Sequence, residues 1–380
     1  MKVLYLTQWY PHRYDAMAGL FVRNHAEAAV RQGIDVCVLY CHPVSENPSG
    51  EEIEVVEQTT NRVREVYVYH TCSAFTALLR GRDEVFLRWG MPDLCQVNVL
   101  SKNALLAYEL FLRWRIPYVI MEHWSGYLPA NGDYLSNTSS LQRVLYQHVA
   151  RKAKCILPVS AMLKKSMQAC GIRNNRWQLL HNVVADSFYH PFEPLKSQPS
   201  SREVFSLLHV SCFDEKAKNV RGILRAIQLL KERRSDFHLT LVGTGVDFES
   251  DKVFAEQLGL SDVVSYTGEL PPELVCLAMQ QAHLFILFSR YENAPVVLSE
   301  CLAVGLPVVA SNVGGIPEMI NSDTGVLVQS EDVNALADAI DRTLNRLPAY
   351  KPEVIRTYGQ KYSYENVGKQ LKALYESVLS

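Results

Sequence analysis

The 380 residues contain nine cysteines but no CxxC pair, so neither a disulfide framework nor a metal-binding pattern can be read from them. Cys37 and Cys41 fall in a strand-like run and read as small core residues, which fits reduced thiols in a cytoplasmic protein. A dominant charge of one sign is also lacking. The formal net charge is −2, with 20 Lys/Arg against 16 Asp/Glu in residues 1–188 and 18 against 24 in the remainder. So mild an imbalance gives no footing for nucleic acid, although the basic first part suits an anionic partner or a membrane surface. No apolar run approaches the roughly 20 residues that a membrane span needs. The N-terminus passes straight into a strand, without the architecture of a signal peptide. What is present, 48% hydrophobic and 21% charged residues, is the composition of a soluble globular protein of two ordinary domains.

The chain is organised around residues 284–318. An apolar run at 284–288 is short enough for a buried strand, and 289–293 is abruptly polar. Pro295 then sits where a helix's first turn tolerates it, and the helix stops at Gly305 with Pro307 beyond. A second buried strand follows at 307–310, and Gly314-Gly315 makes a loop whose backbone can approach a ligand. Such β–loop–α–β–loop units place ligands at the carboxyl ends of parallel strands. Glu300 lies inside an otherwise apolar helix, where an unpaired buried charge would cost several kcal/mol. Glu292 lies just before that helix, and Pro295 to Glu300 spans a rise of roughly 7.5 Å. The two carboxylates flank a helix N-terminus, which attracts phosphate through free N–H groups and the macrodipole. A ligand with a sugar at one end, a diphosphate in the middle and a ribose at the other fits that layout. The blander reading is a Glu300 that merely faces solvent.

Glu292-x7-Glu300, then Ala303-x-Gly305-x-Pro307-Val308-Val309 and Gly314-Gly315-x-Pro317-Glu318, resembles the donor-site signature of retaining GT-B glycosyltransferases, more narrowly family four (glycosyl transferases group 1). The resemblance implies two Rossmann-like α/β domains facing across a deep cleft. It also implies a nucleotide-sugar donor, with Glu300 on the ribose hydroxyls and Glu292 on the sugar. Asn293, Ala294, Pro295 and Val296 complete the donor-binding set around the helix start.

In the first half, strands are expected at 2–7, 36–40, 94–100, 117–121 and 155–159. A strand pair is expected within 51–69, and helices at 19–33, 103–114 and 139–154. Gly19 opens the first helix, and the family's corresponding glycine lets the backbone approach the donor phosphates. His123 directly follows a strand. Alone it reads as a satisfied structural histidine or a functional one; the family carries a histidine here that touches the donor sugar. Trp124, Tyr127 and Tyr134 suit stacking on a sugar acceptor or a place in the core. Arg80, Arg82 and Arg88, in a segment read as amphipathic, face either an acceptor or water. The helix at 139–154, with Arg143, Arg151, Lys152 and Lys154 around it, either docks on anionic lipid or is a plain surface helix. His181-Asn182 resembles the family's "NGV" turn, with Val183 in place of glycine.

Residues 191–201, rich in proline and serine, read as a linker. The domains are therefore expected as 1–188, with the terminal helix 364–380 crossing back, and 189–363. After the strand at 204–210, Lys218-Asn219 matches the family's phosphate-binding lysine, with Lys216 as the alternative. The usual arginine is missing, because Cys212 stands in its place. The phosphate grip is less cationic as a result, and Lys216 or Arg290 is the candidate to compensate. Gly243 ends the strand at 239–242 in a phosphate-side turn. Lys218, Glu292 and His123 form the expected catalytic set.

No DxD triad is present, so no metal and no cofactor beyond the UDP- or GDP-sugar substrate is expected. The expected reaction is metal-independent, retaining transfer to the hydroxyl of a carbohydrate or lipid-linked saccharide, in polysaccharide or glycolipid assembly. The enzyme is expected in the cytoplasm, with peripheral contact to the inner face of the membrane left open. The alternatives are a nucleotide-sugar epimerase of the same fold and a nucleotide-sugar-binding protein with weak catalysis.

Overall fold

The computed structural model describes residues 1–48, 50–190 and 204–380, so the expected linker at 191–201 lies outside the described residues. The chain divides into two units, Met1–Val183 with Tyr364–Ser380, and Val184–Ser363. The division falls five residues before the expected boundary at 188. The reason is local: Val184 bridges to Ser363, and Phe188 is buried among Phe285, Leu298 and Leu302 in the core of the second unit.

The first unit runs β1 (Lys2–Thr7), α1 (Leu20–Arg31), β2 (Asp35–Pro43), β3 (Ile53–Thr60), β4 (Val63–His70), α2 (Ala74–Arg88) and β5 (Leu94–Asn98). It continues through α3 (Lys102–Trp114), β6 (Tyr118–Glu122), α4 (Asp133–Asn137), α5 (Ser140–Lys152), β7 (Ile156–Pro158) and α6 (Ala161–Ala169). Its sheet has the order β3-β4-β2-β1-β5-β6-β7. All pairings are parallel except β3 with β4, which are joined by the two-residue turn Asn61-Arg62 with positive φ at both positions. Val3, Leu4, Tyr5 and Leu6 are wholly buried, as expected where helices cover both faces of a parallel sheet. β3 carries the charged alternation of an edge strand, which discourages further pairing.

The second unit runs β8 (Phe205–Val210), α7 (Glu215–Lys218), α8 (Val220–Lys231), β9 (Phe237–Val242), α9 (Phe248–Gln257), β10 (Val264–Gly268) and α10 (Pro272–Gln281). It continues with β11 (Leu284–Leu287), α11 (Val296–Val304), β12 (Val308–Ser311), β13 (Gly325–Val328), α12 (Val333–Asn345) and α13 (Pro352–Gly359). Its strands are all parallel, in the order β10-β9-β8-β11-β12-β13. That is the Rossmann order, and its direction reverses between β8 and β11. One apolar cluster covers each face of the sheet, one built on α8 and α12 and the other on α10 and α11. The last helix, α14 (Tyr364–Leu379), belongs to the first unit. There the Tyr375 hydroxyl meets the Tyr5 hydroxyl at 2.7 Å and donates to Gln96 at 2.6 Å.

Candidate active site

The loops at the carboxyl ends of β8, β11 and β12 meet where the strand order of the second unit reverses, the place at which open α/β sheets hold ligands. Lys218, after β8, donates from Nζ to Glu292 Oε1 at 2.6 Å, across that reversal. Both side chains are largely removed from solvent. Burial pulls the Lys218 ammonium toward neutrality, but the Glu292 charge and hydrogen bond outweigh it, and the net shift is upward. Ser289 Oγ donates to the same Glu292 oxygen at 2.9 Å. Under the loops, buried His209 links the strands: Nδ1 meets the Ile286 carbonyl and Nε2 the Ser211 hydroxyl, both at 2.8 Å. Burial lowers its pKa to about 4, so it is a neutral strut.

Glu292 is fixed from behind by the Gly314 loop. The Gly315 N–H donates to the Glu292 carbonyl at 3.1 Å. Gly314 has φ +55°, and a Cβ there would lie 1.6 Å from the Glu292 carbonyl oxygen. Only glycine allows this approach. Pro295, Val296, Asn293 and Ala294 surround the start of α11, whose N-cap is Pro295, without a side-chain cap. Glu300 is half-buried on α11, and desolvation alone pushes its carboxyl up to about 7. Gly243 ends β9 beside β8, and its N–H donates to the Gly268 carbonyl at 2.8 Å.

One sequence reading is revised at this site. Arg290 is not a spare phosphate ligand: its guanidinium binds the Glu215 carbonyl and carboxylate, Glu331 and the Asn219 amide oxygen. Its backbone N–H also donates to the Ala217 carbonyl at 2.8 Å, so Arg290 stitches the β8 and β11 loops together. Lys216 and Cys212 are exposed on the same loop, and it is Lys218, not Lys216, that meets Glu292. Asn219, passed over except as a motif letter, adopts φ 51° and caps α8 through the Gly222 N–H.

In the first unit the structure brings Gly19 and His123 to one corner, at the start of α1. Gly19 is the N-cap of α1 with φ +60°, and a Cβ would lie 2.3 Å from the Trp9 carbonyl. His123 follows β6 and packs against Phe21 at 4.4 Å and His25 at 5.5 Å between ring centroids. Burial and the His25 charge hold its pKa well below the usual histidine range, partly offset by a hydrogen bond to Asn182. Sequence reasoning missed the group that sets this corner. Glu122, wholly buried at the end of β6, accepts the N–H groups of Leu100, His123 and Trp124, each at 2.9 Å. Burial raises its carboxyl to about 7 despite those three donors. The available signal was a carboxylate closing an otherwise apolar strand.

Beside this corner lies a cavity of about 590 Å³ whose lining includes Trp9, His70, Lys102, Trp124 and Tyr146. Trp124 therefore lines a cavity, whereas Tyr127 and Tyr134 are core residues. Cys41 also lines the cavity, while Cys37 is buried as expected. Arg80, Arg82 and Arg88 pair with Glu84, Asp83, Glu109 and Glu57 within the unit. Val183 has no positive φ, so the turn after Asn182 does not need the glycine it lacks.

Comparison with known proteins agrees with this geometry. The family model described as glycosyl transferases group 1 matches residues 196–362, and that described as glycosyltransferase family 4 matches residues 18–188. The chain is 30% identical over 301 residues to N-acetyl-alpha-D-glucosaminyl L-malate synthase of Bacillus anthracis, covering 76% of this chain and 75% of that protein. It is 29% identical over 202 residues to a putative colanic acid biosynthesis glycosyltransferase, WcaL, of Escherichia coli K12. That match covers 51% of this chain and about half, 48%, of the relative. Among solved structures, HepE of Anabaena in complex with UDP-glucose superposes with a TM-score of 0.74 at 15% identity, covering 99% of this chain and all of that one. The chain belongs to glycosyltransferase family four and has the two Rossmann-like domains of the GT-B fold.

Proposed function

We propose that the protein is a retaining hexosyltransferase that takes a sugar from a nucleotide donor, UDP- or GDP-linked, to an acceptor hydroxyl in polysaccharide or glycolipid assembly. The single observation that carries this is the Lys218–Glu292 pair, which joins the β8 and β11 loops beside the start of α11, with Glu300 further along that helix. The HepE complex supports a uridine nucleotide, and the WcaL likeness supports polysaccharide assembly. In this reading Glu300 accepts the ribose hydroxyls and Glu292 holds the sugar. Lys218 and the α11 N-terminus meet the charge that grows on the leaving diphosphate. His123 touches the donor sugar, and the Gly19 and Gly243 backbones approach the diphosphate. Asn293, Ala294, Pro295 and Val296 bind the donor at the helix start, and Lys216 adds positive charge.

The bond between the anomeric carbon and the diphosphate oxygen breaks, and a bond to the acceptor oxygen forms on the same face. The acceptor proton passes to the leaving phosphate. Lys218 and the helix dipole supply the charge that a metal supplies in DxD enzymes, a motif this sequence does not contain. The acceptor is a saccharide, met by a cytoplasmic enzyme at the inner face of the membrane. Incubation with UDP- and GDP-sugars and candidate saccharides, followed by NMR of the product, tests the reading. A new glycosidic bond with the donor's anomeric configuration is expected. An inverted product contradicts retention. Donor isomerisation without an acceptor identifies an epimerase, and donor binding with no turnover on any acceptor identifies a binding protein.

A further inference from the structure

The cavity of the first unit is walled in part by two loops that leave neighbouring strands. Residues 99–103, between β5 and α3, line it on one loop, and Trp124, which follows β6 and His123, lines it on the other. The first loop starts under strain. Val99 has φ +72° and is, among the described residues, the only β-branched residue in the left-handed region. A branched Cβ crowds the backbone there, so such a turn persists only where the surroundings over-determine it. Two acceptors on β6 do so. The Val99 N–H donates to the Met121 carbonyl at 2.8 Å, and the next N–H, that of Leu100, donates to Glu122 Oε2 at 2.9 Å.

The Glu122 carboxylate divides its oxygens between the two loops. Oε1 accepts the N–H groups of His123 and Trp124, and Oε2 accepts that of Leu100. The side chain is wholly buried; burial works against its charge, and these three bonds favour it. A buried carboxylate is a costly way to satisfy backbone donors. Its advantage here is that both oxygens accept. A glutamine in its place would turn an amide N–H toward one of the loops, donor against donor. The titratable groups around it carry no charge: burial keeps the Tyr127 and Tyr134 hydroxyls protonated and the His123 ring neutral.

We propose that Glu122 is a positioning residue: its carboxylate clamps the β5–α3 loop to the β6 loop and so fixes the cavity wall relative to His123, the residue assigned to the donor sugar. The last clause rests on the transferase reading. Amide exchange reads the clamp without any activity. Protection of the Leu100 and Trp124 N–H groups, corrected for intrinsic rates, should rise through pH 7 in wild type, because the carboxyl ionises at about 7. It should be lost in Glu122→Gln while the rest of β5 and β6 stays protected. Activity and stability should then diverge. With the saccharide that gives product in the NMR assay and saturating donor, kcat/KM of wild type should exceed that of Glu122→Gln about tenfold at pH 8, and the two should be about equal at pH 6. The melting temperature of wild type relative to the variant should instead fall from pH 6 to pH 8. A carboxyl raised from 4.5 to about 7 holds its proton more tightly folded than unfolded, so its contribution to stability declines as pH rises. A merely structural role makes activity follow stability. Val99→Gly relieves the strained turn, so Glu122→Gln should cost less in that background, measured against Val99→Gly alone. Protection that does not change with pH, or an activity ratio that does not rise with it, overturns the proposal. If the variant does not fold, the wild-type exchange profile still decides. The expected protection in a protein that transfers to no saccharide supports the clamp and faults the transferase reading separately.

Discussion

The Lys218–Glu292 ion pair shows how a resting site stores the groups a charged substrate needs. Lys218 has Glu292 as its partner at 2.6 Å, so a buried ammonium is tolerated. A diphosphate can then compete for it without the lysine first being desolvated. Replacing Lys218 with Ala should lower kcat by about 10²–10³ with the fold intact, since one preorganised donor to transition-state charge is lost; single-turnover kinetics with saturating donor checks it. Glu300 adds a pH dependence. Its carboxyl is pushed up to about 7 by desolvation, so it is mostly protonated below that pH and ionised above it. In the proposed role the ionised carboxylate accepts a ribose hydroxyl on each oxygen with its full charge, whereas the protonated form turns one oxygen into a donor and is the weaker acceptor. Donor affinity should therefore rise through pH 7, and Glu300→Gln should bind more weakly at pH 8 and flatten the profile, measured by calorimetry across pH 6–8. Glu300 stood out in the sequence as a carboxylate inside an apolar helix and Glu292 as one just before it, whereas Lys218 was singled out by the resemblance to the family's phosphate-binding lysine. The roles of Arg290 and Glu122 were not legible, because they come from partners brought in by the fold: Glu215, Asn219 and Glu331 for one, the N–H groups of Leu100, His123 and Trp124 for the other.

At the scale of elements, periodicity served wherever burial is one-sided or complete. The strands β1, β8, β11 and β12 and the helices α3 and α11 follow directly from apolar runs and from breakers such as Gly305 and Pro307. α9 and α13 escaped notice: α9, FESDKVFAEQ, is mostly polar and shows little apolar stripe, and α13, PEVIRTYG, is only eight residues long. The stretch from Val184 to Tyr189 has no regular period, and its bridge to Ser363 and its packing under α11 place it in the second unit. The loop between β12 and β13 carries a sharper expectation. Gly314→Ala combines a positive φ with a Cβ driven into the Glu292 carbonyl. It should cost about 2 kcal/mol or more and move Glu292 away from Lys218. A lowered melting temperature together with weakened donor binding would show both effects. Full stability with normal donor affinity would mean the loop does not hold Glu292 as described.

At the scale of the whole molecule, the two units carry different parts of the chemistry. The second holds the Lys218–Glu292 pair at its strand reversal. The first holds the Gly19–His123 corner and the adjacent cavity. None of the helices among the described residues is long and apolar enough to cross a membrane. The measurement that most directly tests the central claim is a thermal-shift titration with UDP-, GDP- and ADP-sugars in the presence of a chelator, for wild type and Glu300→Ala. One nucleotide class should raise the melting temperature of wild type, and that rise should be lost in the variant. No stabilisation by any of the three, or equal stabilisation of wild type and variant, would contradict the assignment of the β8, β11 and α11 ends as the donor site.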